Sequence, residues 1–136
     1  MALDEIRAGR KTTHWVWYVF PQVEGLGTSL MNQIFSISTI IDAQRFLSDD
    51  IVGTNFELIL DAAVHHLETG SSLANLMNGD EYKFVSCITL MQRLADTPTV
   101  IELTSRAQQQ IGNQGYPPCH TTLRWLDEQG VSRPSQ

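Results

Sequence analysis

Phe56-Glu57-Leu58-Ile59-Leu60-Asp61-Ala62-Ala63-Val64-His65-His66-Leu67 is the stretch that decides the fold. Phe56, Ile59, Leu60, Ala63, Val64 and Leu67 recur at intervals of three and four, which gathers them on one face of an amphipathic helix, and Gly70 stops the pattern. On the C-terminal side, Ser72 to Met77 reads as a short capped helix ending at Asn78-Gly79. Asp80 caps a longer one, running to about Ala95, with Phe84, Cys87, Ile88, Met91 and Leu94 inward. Thr97-Pro98 is a cap followed by a first-turn proline and opens a helix through Ile111, and Cys119 to Gln129 forms the last helix, with Leu123 and Leu126 inward. On the N-terminal side, Ser38 caps a helix carrying Ile40, Ile41, Ala43, Phe46 and Leu47, ended by Asp49 and Asp50. Gly25-Leu26-Gly27 is a turn, after which Thr28 or Ser29 caps a short helix with Leu30, Met31, Ile34 and Phe35. Leu3 to Ala8 is a first helix that Gly9 ends.

Elements of this kind predict an all-α, compact multihelical single domain of about seven short helices, not a simple four-helix bundle. The domain is expected over residues 1–130, with 131–136 as a flexible C-terminal tail. At 136 residues the chain fits one domain that buries roughly two thirds of its unfolded surface. With 42% hydrophobic and 18% charged residues it is globular rather than disordered. Cys87 and Cys119 are isolated and have no metal-ligand spacing to a His pair, which suits free thiols in a reducing, cytoplasmic setting. No apolar run approaches the roughly 20 residues of a membrane span, so no membrane partner is expected. The net charge of −6 argues against a nucleic-acid partner, because backbone recognition needs clustered Lys and Arg.

One run stands apart. His14-Trp15-Val16-Trp17-Tyr18-Val19-Phe20-Pro21-Gln22 packs four of the chain's eleven aromatic residues into nine positions, next to the cations Arg7, Arg10 and Lys11. Its composition fits a strand stopped by Pro21 or a buried helical turn, and the lack of a second strand candidate favours the turn. Rigid apolar surface beside positive charge suits a core spine or the floor of a pocket for an anionic, ring-bearing ligand. On the helix after Asp80, Lys83 and Ser86 share an edge at a spacing suited to gripping phosphate, although a solvated Lys beside a backbone-bonding Ser fits as well. His65 and His66 are adjacent on a helix and point about 100° apart, so they do not form a metal pair, and no metal site or cofactor is expected.

Gly9-Arg10-Lys11-Thr12-Thr13-His14-Trp15-Val16-Trp17-Tyr18-Val19-Phe20-Pro21-Gln22, followed by Gly25-Leu26-Gly27-Thr28-Ser29, resembles the signature of the domain-of-unknown-function 1810 family. The likeness continues through Ile37-Ser38, the Ala43 to Leu47 helix, Gly79-Asp80, Lys83, Ser86, Thr89-Leu90 and Thr122-Leu123, and so covers most of the chain. It implies a small multihelical fold and no settled reaction. Members usually begin with a further helix ahead of Leu3; without it, apolar surface near the aromatic run is left for a second copy to cover, and a homo-oligomer is expected. Where the family's second motif tends to read Lys-x-x-Ser-Ser-Met-Thr, this chain has Lys83, Ser86, Cys87, Ile88 and Thr89. Loss of the second hydroxyl weighs against catalysis by that motif and is compatible with binding.

The leading expectation is a module that binds or sequesters a phosphorylated, ring-bearing small molecule, a nucleotide of the NAD, ADP-ribose or cyclic-nucleotide type. Trp15, Trp17 and Phe20 would stack, Arg10, Lys11 and Lys83 would neutralise phosphate, and His14, Gln22 and Ser86 would meet polar edges. The alternative is a hydrolase on the same ligands with His14 as general acid or base, and His120 as a second candidate. Against it, no carboxylate falls inside the aromatic motif, and Glu24 is the nearest. A third reading makes the motif scaffold, with Trp15, Trp17 and Phe20 as core and His14 and Gln22 satisfying buried backbone groups in a structural or interaction protein.

Overall fold

The computed structural model describes residues 2–23 and 37–131, apart from the Trp17 side chain. The Gly25 turn and the short helix expected over Leu30 to Phe35 lie outside the described residues, as does the tail beyond Val131. Eight helices are described: α1 (Ala2–Arg7), α2 (Val16–Val19), α3 (Ile40–Ser48), α4 (Val52–Glu68), α5 (Leu73–Met77), α6 (Glu81–Leu94), α7 (Pro98–Asn113) and α8 (His120–Glu128). Among the described residues the only β contact is an isolated bridge between Val23 and Ile37. The aromatic run is therefore a helical turn, and the fold is all-α.

Helix α4 is the axis. Its inward stripe of Phe56, Ile59, Leu60, Ala63, Val64 and Leu67 is buried, as the three-and-four spacing requires. Against it pack α7 and α1, then α3, α2 and α5. Helix α6 forms a second centre, buried from Phe84 through Met91, and touches α7, α8, α3 and α5. The two centres meet at Phe20, which is fully enclosed, with ring centroids 6.0 Å from Phe56 and 5.0 Å from Phe84, both edge-on. So the turn Val16–Val19 is short because its job is local: it delivers Phe20 to the seam between α4 and α6.

Helix ends follow the sequence signals with three adjustments. Thr39, not Ser38, caps α3, accepting from the Asp42 N–H at 3.1 Å, while Ser72 and Thr97 cap α5 and α7. Helix α4 begins four residues before Phe56, because Asp49 Oδ1 takes the Ile51 and Val52 N–H groups at 2.8 and 2.9 Å and turns α3 into α4. Asp80 makes no capping bond at α6, since its carboxylate is engaged elsewhere. Of the two residues expected inward on α8, Leu126 is buried, Leu123 is half-buried, and Thr122 is enclosed in its place.

Candidate functional site

The loop from Gly9 to Trp15 is held between α1 and α5 by polar contacts on both sides. Gly9 adopts φ +96°, which a side chain resists, and reverses the chain so that residues 12–15 fold back over α1. Their reception point is Glu5. Its Oε1 accepts from the Thr12 N–H (2.6 Å), the Thr13 N–H (2.9 Å) and the Trp15 indole N–H (2.9 Å), while Oε2 accepts from the Thr13 hydroxyl (2.6 Å). These bonds, the Thr13 hydroxyl foremost, hold the Glu5 carboxyl far below the usual carboxylate range. On the other side, the Lys11 N–H donates to the Leu76 carbonyl (2.8 Å) and the Lys11 carbonyl accepts from Asn78 Nδ2 (3.0 Å). Arg10 donates to the Asn75 and Asn78 side-chain oxygens at 3.2 and 2.8 Å. Asn78 stands at φ +50°, the left-handed end of α5, which aims its amide at the loop.

At the centre lies a carboxylate between two ammonium groups. Lys11 is 4% exposed, and its Nζ sits 2.7 Å from Asp80 Oδ2 and 5.4 Å from the Trp15 ring centroid. Lys83 Nζ lies 2.9 Å from Asp80 Oδ1, with its side chain 40% exposed. Burial alone would raise the Asp80 pKa; hydrogen bonds and charge from Lys11 and Lys83 outweigh it and leave the group below its ordinary value. Asp80 and Glu5 are the carboxylates of this region. In the sequence Asp80 reads as a helix cap and as part of the family likeness, and Glu5 carries no signal, because each reaches the motif only through the reversals at Gly9 and Asn78.

The remaining candidates separate. His14 is exposed. Trp15 and Phe20 are core, their rings 6.1 Å apart, so neither offers an open stacking face here, and Gln22 is buried with Nε2 3.5 Å from the Phe20 carbonyl oxygen. The Trp17 side chain lies outside the described residues. Ser86 is buried and donates to the Tyr82 carbonyl (2.9 Å), the backbone-bonding arrangement common for a helical Ser. One turn on, Thr89 accepts from the Cys119 N–H at 3.0 Å. Thus Lys83 turns to Asp80 while Ser86 and Thr89 receive the start of α8, and the edge that spacing drew as one wall is divided between two neighbours. His120 is exposed on α8.

Two other places bear on chemistry. A cleft of about 270 Å³ between α4 and α7 is lined by Glu57, Leu58, Asp61, Thr99, Glu102, Leu103 and Arg106 and contains none of the sequence candidates. Its carboxylates repel phosphate. Among the described residues no group of three His, Cys, Asp or Glu side chains is placed to hold a metal ion, and His66 Nε2 lies 3.1 Å from the Arg7 carbonyl oxygen, joining α4 to the end of α1. No described helix is long and apolar enough to cross a membrane.

The fold has a solved counterpart. The crystal structure of the conserved hypothetical protein Rv1873 from Mycobacterium tuberculosis superimposes with a TM-score of 0.78 at 27% sequence identity, covering 93% of this chain and 86% of that one. No curated protein matches the chain. The sequence model of the family described as "Protein of unknown function (DUF1810)" matches residues 1–110, which include the Gly9 to Gln22 motif and the whole of α6. The chain belongs to that family.

Proposed function

We propose that this protein binds a phosphorylated, ring-bearing small molecule of the nucleotide type beside Lys11, Asp80 and Lys83, and holds it rather than turning it over. The observation that carries the proposal is the convergence of two ammonium groups, at 2.7 and 2.9 Å, on the two oxygens of one carboxylate. Two cationic donors facing a pair of anionic oxygens is also the arrangement a phosphate group takes. Lys83, 40% exposed, is the cation a ligand reaches from solvent, while Lys11 acts from within at a distance water does not screen well. Arg10 lies on the same loop, its guanidinium steadied by Asn75 and Asn78. For the base, Tyr18 and Tyr82 are exposed rings among the described residues, the second edge-on to Tyr116, and they offer the stacking surface that was expected of Trp15, Trp17 and Phe20 and that the enclosed Trp15 and Phe20 do not present.

Holding needs no nucleophile or general base, which fits an exposed His14 and a Ser86 hydroxyl already spent on the Tyr82 carbonyl. The test is incubation of the purified chain with cell extract and with a nucleotide panel, then release and mass identification of what stays bound. An unaltered nucleotide supports the proposal. A cleaved product in excess over protein supports a hydrolase instead, and no retained ligand ends both. We further propose self-association in the cytoplasm, with exposed Ile41, Ile51, Val52 and Leu58 as available apolar surface. A monomer by light scattering at micromolar concentration refutes it.

A further inference from the structure

Cys119 stands at the start of α8, held there by its own N–H, which donates to Thr89 Oγ1 at 3.0 Å. Its sulfur lies among four polar groups: the Ser86 and Thr122 hydroxyls and the Thr121 and Thr122 amide N–H groups of the first turn. Ser86 has its proton committed to the Tyr82 carbonyl, so towards the sulfur it offers an acceptor oxygen, which steadies the thiol. The other three are donors. The sulfur completes no capping bond with the first turn. Thr122 is 0% exposed, and although its hydroxyl lies against the sulfur it forms no hydrogen bond of good geometry with any described residue. An enclosed hydroxyl left this way costs about 1–3 kcal/mol, so a partner at that point is favoured.

We propose that Cys119 is a site of reversible oxidation by hydroperoxides, in which a sulfenate oxygen on the sulfur takes the Thr122 hydroxyl and the first-turn N–H groups of α8 as its donors. A sulfenate carries its anionic oxygen one covalent bond beyond the sulfur, towards groups that the thiol leaves short of an acceptor. The helix N-terminus favours the added negative charge. The thiolate attacks one peroxide oxygen, the S–O bond forms and the O–O bond breaks. The departing hydroxide takes the proton from the new sulfenic acid, so that thiolate and hydrogen peroxide become sulfenate and water. Sulfur is oxidised by two electrons and the peroxide reduced by two. Burial works against the thiolate, while the Thr122 hydroxyl and the Thr121 and Thr122 N–H groups work for it, and it is the thiolate fraction that reacts. Cys87 supplies the internal contrast: it is fully enclosed, and burial pushes its thiol well up. The inference is independent of whether a nucleotide binds at Lys83.

The experiment treats the intact chain with hydrogen peroxide in the presence of a sulfenate-trapping cyclic 1,3-diketone and locates the adduct by peptide mass spectrometry. The adduct is expected on Cys119 and not on Cys87. Thr122→Val removes the orphan hydroxyl at nearly constant volume, and its fold is checked by the thermal melt. It is expected to slow Cys119 labelling about tenfold, the scale of one hydrogen bond to a charged atom, whereas Thr122→Ser keeps the parent rate. Labelling of Cys119 no faster than of Cys87 overturns the proposal, and so does a folded Thr122→Val variant that labels at the parent rate.

Discussion

Lys11 Nζ lies 2.7 Å from Asp80 Oδ2, joining the aromatic motif of the N-terminal region to the start of α6 by an ion pair whose lysine side chain is 5% exposed. Coulomb attraction in such a place roughly balances the cost of desolvating both charges, so the pair matters most when one member is lost.

Asp80→Ala strands the Lys11 ammonium without its carboxylate and is expected to cost about 3–5 kcal/mol in urea unfolding. Lys83→Ala removes a half-exposed partner of the same carboxylate and is expected to cost about 1 kcal/mol or less. Equal losses in the two variants contradict the pairing described here.

Acid sensitivity follows from Glu5 and Asp80. Both folded-state pKa values are depressed, so each carboxylate adds stability above its ordinary value, and that stability is lost as pH falls below it towards the folded pKa. Melting temperature is therefore expected to hold near neutral pH and fall steeply below about pH 4. Glu5→Gln should flatten that acid limb, since the loop then has no carboxylate to protonate. A variant whose acid limb keeps the parent slope contradicts the role given to Glu5.

Phe20 is fully enclosed between Phe56 and Phe84, and Phe20→Ala is expected to cost about 3–5 kcal/mol by chemical denaturation. A loss below about 1 kcal/mol would mean that the ring is a surface wall and not the seam of the core.

Gly53 in the first turn of α4 has no room for a side chain, because a Cβ there would press into the Leu47 carbonyl and crowd that of Phe46. Gly53→Ala is expected to destabilise by about 1–3 kcal/mol despite the better helix propensity of alanine. A stabilised variant would show that α3 and α4 do not meet this closely.

How far these features could be read in advance depends on their range along the chain. Helices α4, α6 and α7 were plain in the spacing of Phe56 to Leu67, in Phe84 to Met91 and in Thr97-Pro98, because periodicity and capping are local. The state of Trp15 to Phe20 was open between strand and turn, since its composition suits either; what decides it is the delivery of Phe20 to a seam built by residues more than thirty positions away. Asp80 read as a cap because cap and counter-ion look alike in sequence, and the difference lies in Lys11, which reaches it only after the chain reverses at Gly9. Glu5 went unnoticed for the same reason. Lys83 and Ser86 do share a helix edge, but spacing carries no information on α8 settling over half of it.

The most direct test of the central claim is equilibrium titration of NAD, ADP-ribose and cyclic nucleotides into the parent chain and into Lys83→Ala. The account predicts saturable binding of at least one of them by the parent, weakened about tenfold or more in the variant, with the melting temperature of the unliganded protein lowered by no more than about 5 °C. Binding by none of them, or equal binding by parent and variant, would contradict it.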